Sequence, residues 1–246
     1  MRSTFPMQLF YCPNISQGEV SMPEDEARHC VQVLRHRVGD RIHVVDGTGG
    51  RYEAEITAAG KRGCRVMPVS GHQQELAGRV RLHMVVAPTK QIDRFEWFLE
   101  KSTEIGVDAI TPILCHRSER QSIREDRCVR VLISAMKQSL RAHLPEFRPM
   151  VRVEDFLSNP QLEDFAGRFI ATCEDIPKSP LSAVVPGSGN VLVMIGPEGD
   201  FEGFELEKAA LAGFRPVSLG ESRLRTETAG IVACHTVNLM GQLHVG

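Results

Sequence analysis

Two glycine-bent segments near the carboxyl end carry the residue types best suited to chemistry. They are Gly196-Pro197-Glu198-Gly199-Asp200 and the stretch from Leu219-Gly220 through Leu224-Arg225-Thr226-Glu227. Glycine lets bare backbone turn sharply and approach a ligand, and Pro197 stiffens the first turn. Neither segment has the glycine spacing of a dinucleotide loop, and the chain contains no Gly-Lys-Ser/Thr phosphate loop. Gly220-Glu221-Ser222-Arg223-Leu224 misses a serine-hydrolase elbow at its last position. Glu198 and Asp200 would repel phosphate but tolerate a cationic ligand. Arg225 adds a cation and Glu227 a carboxylate to the second segment, residue types that serve chemistry as readily as structure. A carboxylate in the first turn of a helix also complements the helix end, so Glu227 has two readings.

These segments need strands to hold them. Val191–Ile195 is an unbroken apolar run stopping at Gly196, as a strand buried on both faces does. Phe214–Leu219 is a second strand-like run, and an amphipathic helix begins near Thr226. Upstream, Val80, Leu82, Met84 and Val86 alternate as a strand. Ile92, Phe95, Phe98, Leu99 and Ile105 mark a helix ending at Gly106, and Ala109–Leu114 and Phe169–Cys173 read as further strands. This alternation predicts an α/β domain with a mostly parallel sheet, whose ligands sit outside the carboxyl ends of the strands. Residues 8 to about 70 differ. A helix from Pro23 toward Gly39, a hairpin around Asp46-Gly-Thr-Gly-Gly50 and a strand over Cys64–Val69 predict a small β-rich domain. Ser70–Gly78 is polar, with glycines near both ends, and reads as a linker. The expected domains are therefore 1–72 and 79–246.

The net charge of −2 does not advertise a polyanionic partner, so any nucleic-acid surface must be local. Arg28, His29, Arg35, His36, Arg37 and Arg41 crowd the end of the first helix. Residues 111–150 hold eight Arg/Lys against four acids, and a predicted helix from Asp126 to His143 puts Arg127, Arg130, Lys137 and Arg141 within one arc. Such clustering suits phosphates, although a solvated helix face looks the same. The seven cysteines show no metal-ligand spacing, and no metal is expected. With no signal-like start and no apolar run of membrane length, the expectation is a soluble cytoplasmic protein with reduced thiols. Met7 is a candidate native start.

Gly-Pro-Glu-Gly-Asp-Phe followed by Leu-Gly-x-x-x-Leu-Arg-Thr-Glu-Thr-Ala resembles the cofactor site of the knotted (SPOUT) RNA methyltransferases, and within them the RsmE group, which methylates N3 of a uridine in small-subunit (16S) ribosomal RNA. His29-x-x-x-Val33-Leu34-Arg35 is similar to that group's PUA-like β-barrel, and Lys90 through Pro112 matches its Lys-x-Thr-Glu-x-Gly segment. The resemblance implies a trefoil knot in the α/β domain and a PUA-like RNA-binding barrel before it. It also implies S-adenosylmethionine as cofactor, held by three loops: Thr172 and Cys173; Gly196, Pro197, Glu198 and Gly199; Leu219, Gly220, Leu224, Arg225 and Thr226. Arg225 and Glu227 are then the catalytic candidates, with water as an alternative base. His29, Arg35, Arg37, Arg117, Lys137 and Arg141 are the RNA-binding candidates. Lys137 stands where the group usually has Glu. Small-subunit rRNA, free or in the assembled subunit, is the implied substrate; methylation of another RNA, or RNA binding without catalysis, is the alternative.

The resemblance also implies a homodimer. Independently, Trp97, Phe98 and Leu99 span about 200° of a helix, so one of them must be exposed or meet a partner.

Overall fold

The computed structural model describes residues 8–60, 63–74 and 79–244. The Met7 start therefore lies outside the described residues, as does the 75–78 part of the expected linker. The chain divides into two compact units, Met1–Leu76 with Ile133–Leu144, and Ala77–Leu132 with Pro145–Gly246.

In the first unit β1 (Leu9–Tyr11), β2 (Val20–Ser21), α1 (Glu24–Arg28), β3 (Arg41–Val45), β4 (Gly50–Gly60) and β5 (Gly63–Gln73) follow in order. They make a sheet ordered β1-β3-β4-β5-β2, with β1 parallel to β3 and the other pairs antiparallel. Inward-facing Ile42, Val44, Ala54, Ile56 and Val66 close over Phe10, Ile15 and Cys30 as the core. The predicted hairpin is present. Asp46 shapes its turn by accepting hydrogen bonds from the Thr48 and Gly50 amides (2.7 and 2.9 Å).

Two expectations change here. The helix after Pro23 loses its α register at His29 and continues to Val33 as a π-turn. The wider turn shifts the phase of the side chains, so Ala27 and Cys30 are buried while Val33 and Leu34 face outward. Ser70–Gln73, expected in a linker, instead pairs with Gly50–Glu53 as the end of β5. Gly71 makes this pairing feasible, because a Cβ there would lie 2.3 Å from the Tyr52 ring. Polarity misled the reading because this end of β5 is exposed.

In the second unit β6 (Arg81–Val86), α2 (Ile92–Ile105), β7 (Ala109–Leu114), α3 (Glu125–Gln138), β8 (Glu146–Phe147), β9 (Val151–Arg152), α4 (Val153–Leu157), β10 (Gly167–Ala171), β11 (Ser179–Pro180), α5 (Leu181–Val184), β12 (Asn190–Ile195), α6 (Gly203–Leu211), β13 (Arg215–Ser218) and α7 (Thr226–His244) follow. The last residues of α3, from Ile133, group with the first unit. The sheet order is β11-β13-β10-β12-β6-β7-β8, with β9 also on β7, and each of these pairs is parallel. Val191–Ile195 on β12 is buried throughout, as its unbroken apolar run requires. One core holds Val85, Ile113, Phe156, Leu192, Met194 and Phe201.

Helix α3 ends at Gln138, short of the expected His143. Leu140 adopts φ 56°, the Leu140 amide donates to the Lys137 carbonyl (3.1 Å), and the Arg141 amide donates to the Met136 carbonyl (2.9 Å). That is a Schellman cap with leucine where glycine is usual. The left-handed turn costs about 1–2 kcal/mol for a non-glycine residue, so nothing in the residue type announced it. Beyond the cap, the Leu144 amide donates to Gly47 and the Gly49 amide to Ala142, which holds this segment to the β3–β4 turn.

Candidate functional site

Because β13, β10, β12 and β6 are adjacent and parallel, the loops that follow them leave the same edge of the sheet. The loops after β10, β12 and β13, with the start of α7, enclose a pocket of about 610 Å³. Nearly all the residues expected at a cofactor line it: Thr172, Cys173, Gly196, Pro197, Glu198, Leu219, Gly220, Leu224, Arg225 and Thr226. Val217 and Ala229 add apolar wall, while Lys178, Asp200 and Arg223 add charge. A pocket of this size, in which apolar wall is mixed with charged and hydroxyl side chains, suits a nucleoside-sized ligand that has both a ring and polar groups. Gly220, at φ 130°, has open space where a Cβ would be, so its backbone is free to border a ligand.

Hydrogen bonds join the loops. Thr226 Oγ1 donates to the Gly196 carbonyl (3.2 Å), pinning the start of α7 to the end of β12. Asp200 Oδ2 accepts from Thr172 Oγ1 (2.8 Å) and the Cys173 amide (2.6 Å), and Oδ1 accepts from the Phe201 amide (2.9 Å). These three bonds offset the positive φ of Asp200, 62°. Glu198 Oε1 accepts from the Lys90 amide (2.9 Å), tying the loop after β12 to the loop after β6. The sequence showed Asp200 and Glu198 only as charges; their fastening roles depend on partners distant in the chain.

Gly199 and Glu227 do not line the pocket. A Cβ on Gly199 would sit 3.1 Å from the Arg117 side chain. Glu227, only 7% exposed, has Oε1 3.8 Å from Arg94 Nε on α2. Its Oε2 is buried and has no hydrogen-bond partner among the described residues. Arg225 is exposed at the pocket.

The cations expected on RNA are differently placed. Arg117 donates from Nε and Nη2 to the Glu202 carboxylate (2.8 and 2.9 Å) and from Nη1 to the Gly199 carbonyl (2.8 Å). This holds the Glu202 carboxyl below the usual carboxylate range. Glu202 also caps α6 in a reciprocal box with Glu205. Within the first unit, Lys137 is ion-paired with the buried Glu26, whose other oxygen accepts from the Tyr11 amide (3.1 Å). On α3, Arg127 pairs with Glu96 and Arg130 with Asp126. Arg141 lies past the end of α3 and is half-buried. His29, in the π-turn, has Nε2 2.7 Å from Gln8 Nε2. Arg35 and Arg37 are exposed. Among the described residues, no cluster of three or more His, Cys, Asp and Glu is arranged to hold a metal ion.

Comparison with known proteins gives this geometry a lineage. The model of an RNA methyltransferase domain matches residues 77–238, and that of an RNA methyltransferase PUA domain matches 23–67. A ribosomal RNA small subunit methyltransferase E from Rickettsia conorii is 28% identical over 91% of this chain and 91% of its own length. The crystal structure of a probable rRNA-methyltransferase from Porphyromonas gingivalis superposes with TM-score 0.82, is 42% identical, and is matched over 94% of this chain and 98% of that one. A ribosomal RNA small subunit methyltransferase E from Neisseria gonorrhoeae, solved bound to S-adenosyl methionine, superposes with TM-score 0.79 at 30% identity over 93% and 95% of the two chains. The fold is thus the knotted α/β SPOUT class preceded by a small PUA-like barrel.

Proposed function

The chain belongs to the RNA methyltransferase family, and from that premise we propose that it transfers a methyl group from S-adenosylmethionine to N3 of a uridine in small-subunit ribosomal RNA. The observation that carries the reading is the pocket at the carboxyl ends of β10, β12 and β13, built from the glycine-bent loops. Relatives named as small-subunit rRNA methyltransferases, one of them solved with S-adenosyl methionine, support the cofactor and the substrate class. The uridine-N3 position rests on the resemblance to the RsmE group.

When bound, the cofactor supplies an activated methyl on a sulfonium. Thr172, Cys173, Gly196, Pro197, Leu219, Gly220, Leu224 and Thr226 would hold it, Leu219 and Leu224 supplying apolar surface and the glycine-bent loops supplying backbone polar groups. Asp200 and Glu198 keep negative charge beside a cationic ligand while fastening the loops. Uracil N3 carries a weakly acidic proton that must leave before or during methyl transfer. Arg225, exposed at the pocket, stabilises the anion that develops on the base. Glu227 faces Arg94 from a buried position off the pocket wall, which favours water as the proton acceptor and leaves Glu227 to position α7.

In this reading residues 1–72 form the RNA-binding domain and 79–246 the catalytic domain. His29, Arg35 and Arg37 face RNA, whereas Arg117 fastens the loop after β12 and Lys137 joins α3 to α1. The protein acts as a homodimer on cytoplasmic rRNA; among the described residues no helix is long and apolar enough to cross a membrane.

Titration calorimetry tests the cofactor. Wild-type protein should bind S-adenosylmethionine and its demethylated product. Gly220→Val should weaken binding by roughly 5- to 150-fold, because any side chain at φ 130° strains the ligand-competent loop by about 1–3 kcal/mol. A wild-type protein that ignores both ligands yet binds ATP would overturn the reading.

A further inference from the structure

We propose that the exposed tip from Val33 to Val38 in the first unit reads unpaired RNA, with Arg35 and Arg37 on phosphates and Val33 and Val38 against splayed bases. This rests on the proposed RNA substrate and deepens it by naming the RNA class.

Charge points to the tip. The α3 cations and Arg117 are engaged by carboxylates, whereas among the described residues neither the Arg35 nor the Arg37 guanidinium has a side-chain hydrogen bond or ion pair. The nearest acid along the tip, Asp40, accepts from the Arg37 amide (2.8 Å) and lies 3.3 Å from His36 Nδ1, so it fastens the loop's own backbone. Flanking these cations on either side are apolar side chains left in water: Val33 is 62% exposed and Val38 60%.

The tip is also held in place. The Leu34 amide donates to His29 and the His36 amide to Cys30, while at its base the Gly39 amide donates to Ile56 and the Ile56 amide to Asp40. Arg35 takes φ 62°, a left-handed conformation that such a side chain seldom adopts. A hydrogen-bonded segment that sets two exposed arginines between two exposed valines offers more than a phosphate contact. An A-form duplex presents phosphates and 2′-hydroxyls but keeps its base faces closed, so apolar side chains gain contact only where bases are unstacked. The partner that uses all of the tip is therefore a single-stranded or loop segment.

The test measures binding of a short single-stranded RNA oligonucleotide, and of the same strand annealed to its complement, across a salt series. Wild-type protein should prefer the single strand. Val33→Ser with Val38→Ser should weaken single-strand binding roughly tenfold, while leaving duplex binding and the salt slope unchanged. Arg35→Gln with Arg37→Gln should weaken both and flatten the logarithmic salt slope by about 1.4, at about 0.7 per phosphate contact. Circular dichroism and cofactor calorimetry on each variant check that the fold and the pocket are intact. Equal loss on both RNAs, or no loss, from the valine variant would overturn the proposal. So would a fall in that variant's molar mass by light scattering, because the valines would then meet a second copy of the chain. Cofactor binding without tip-dependent RNA binding defeats this inference alone; the reverse defeats only the reading of the pocket.

Discussion

His83 on β6 shows how one buried side chain ties stability to pH. It is 4% exposed, its Nε2 lies 2.7 Å from Thr111 Oγ1, and its ring lies among Phe156 and Phe165. Burial pushes its pKa down to about 3, with nearby Arg148 acting in the same direction. Below an unfolded value of about 6.5 the unfolded chain holds the proton while the native ring stays neutral, so stability falls with pH from about 6.5 toward about 3. By pH 5 this loss is about 2 kcal/mol. Urea unfolding of His83→Gln should therefore show a smaller decline between pH 7 and pH 5 than the wild type does, by up to about that amount. Parallel declines in both would show that His83 is not the sensitive group. At this scale the pocket glycines were legible, because their types and spacing declared bent loops after buried strands. The direction of Glu227 was not, because it depends on Arg94, which only folding brings near.

Helices divide in the same way. The Trp97-Phe98-Leu99 run required one exposed member by geometry alone, and α2 exposes Trp97 at 44% while burying Phe98 and Leu99. Helix α7 packs on α2 and itself exposes Leu239 and Leu243. Exposed large apolar residues on two contacting helices support the proposed homodimer. Light scattering at micromolar concentration should give about twice 27.3 kDa, and Trp97→Glu should shift the protein toward the monomer. A wild-type monomer would rule the assembly out. Helix α3 is the instructive failure. Its spacing showed an amphipathic helix with a basic stripe, but helical spacing is silent about partners, and Glu96, Asp126 and Glu26 engage Arg127, Arg130 and Lys137. Its end was missed because a leucine occupies the left-handed cap position.

For the whole molecule, the class of fold was legible because strand–helix alternation and the hairpin are local patterns with distinct periods. The short strands β8, β9 and β11 were not, since two residues carry no period. The net charge of −2 does not reveal how the cations are distributed: Arg117 and Lys137 are ion-paired with Glu202 and Glu26, whereas Arg35 and Arg37 are exposed. On the proposed reading the chain's pocket and its RNA surface serve a single reaction, methylation of a small-subunit rRNA uridine at N3. Mass analysis of nucleosides from small-subunit rRNA, prepared from cells with and without the protein, tests this directly. One N3-methyluridine should be present with the protein, absent without it, and restored by the wild-type chain but not by Gly220→Val. An unchanged nucleoside inventory in cells lacking the protein, or the loss of a methyl group from another RNA instead, would contradict it.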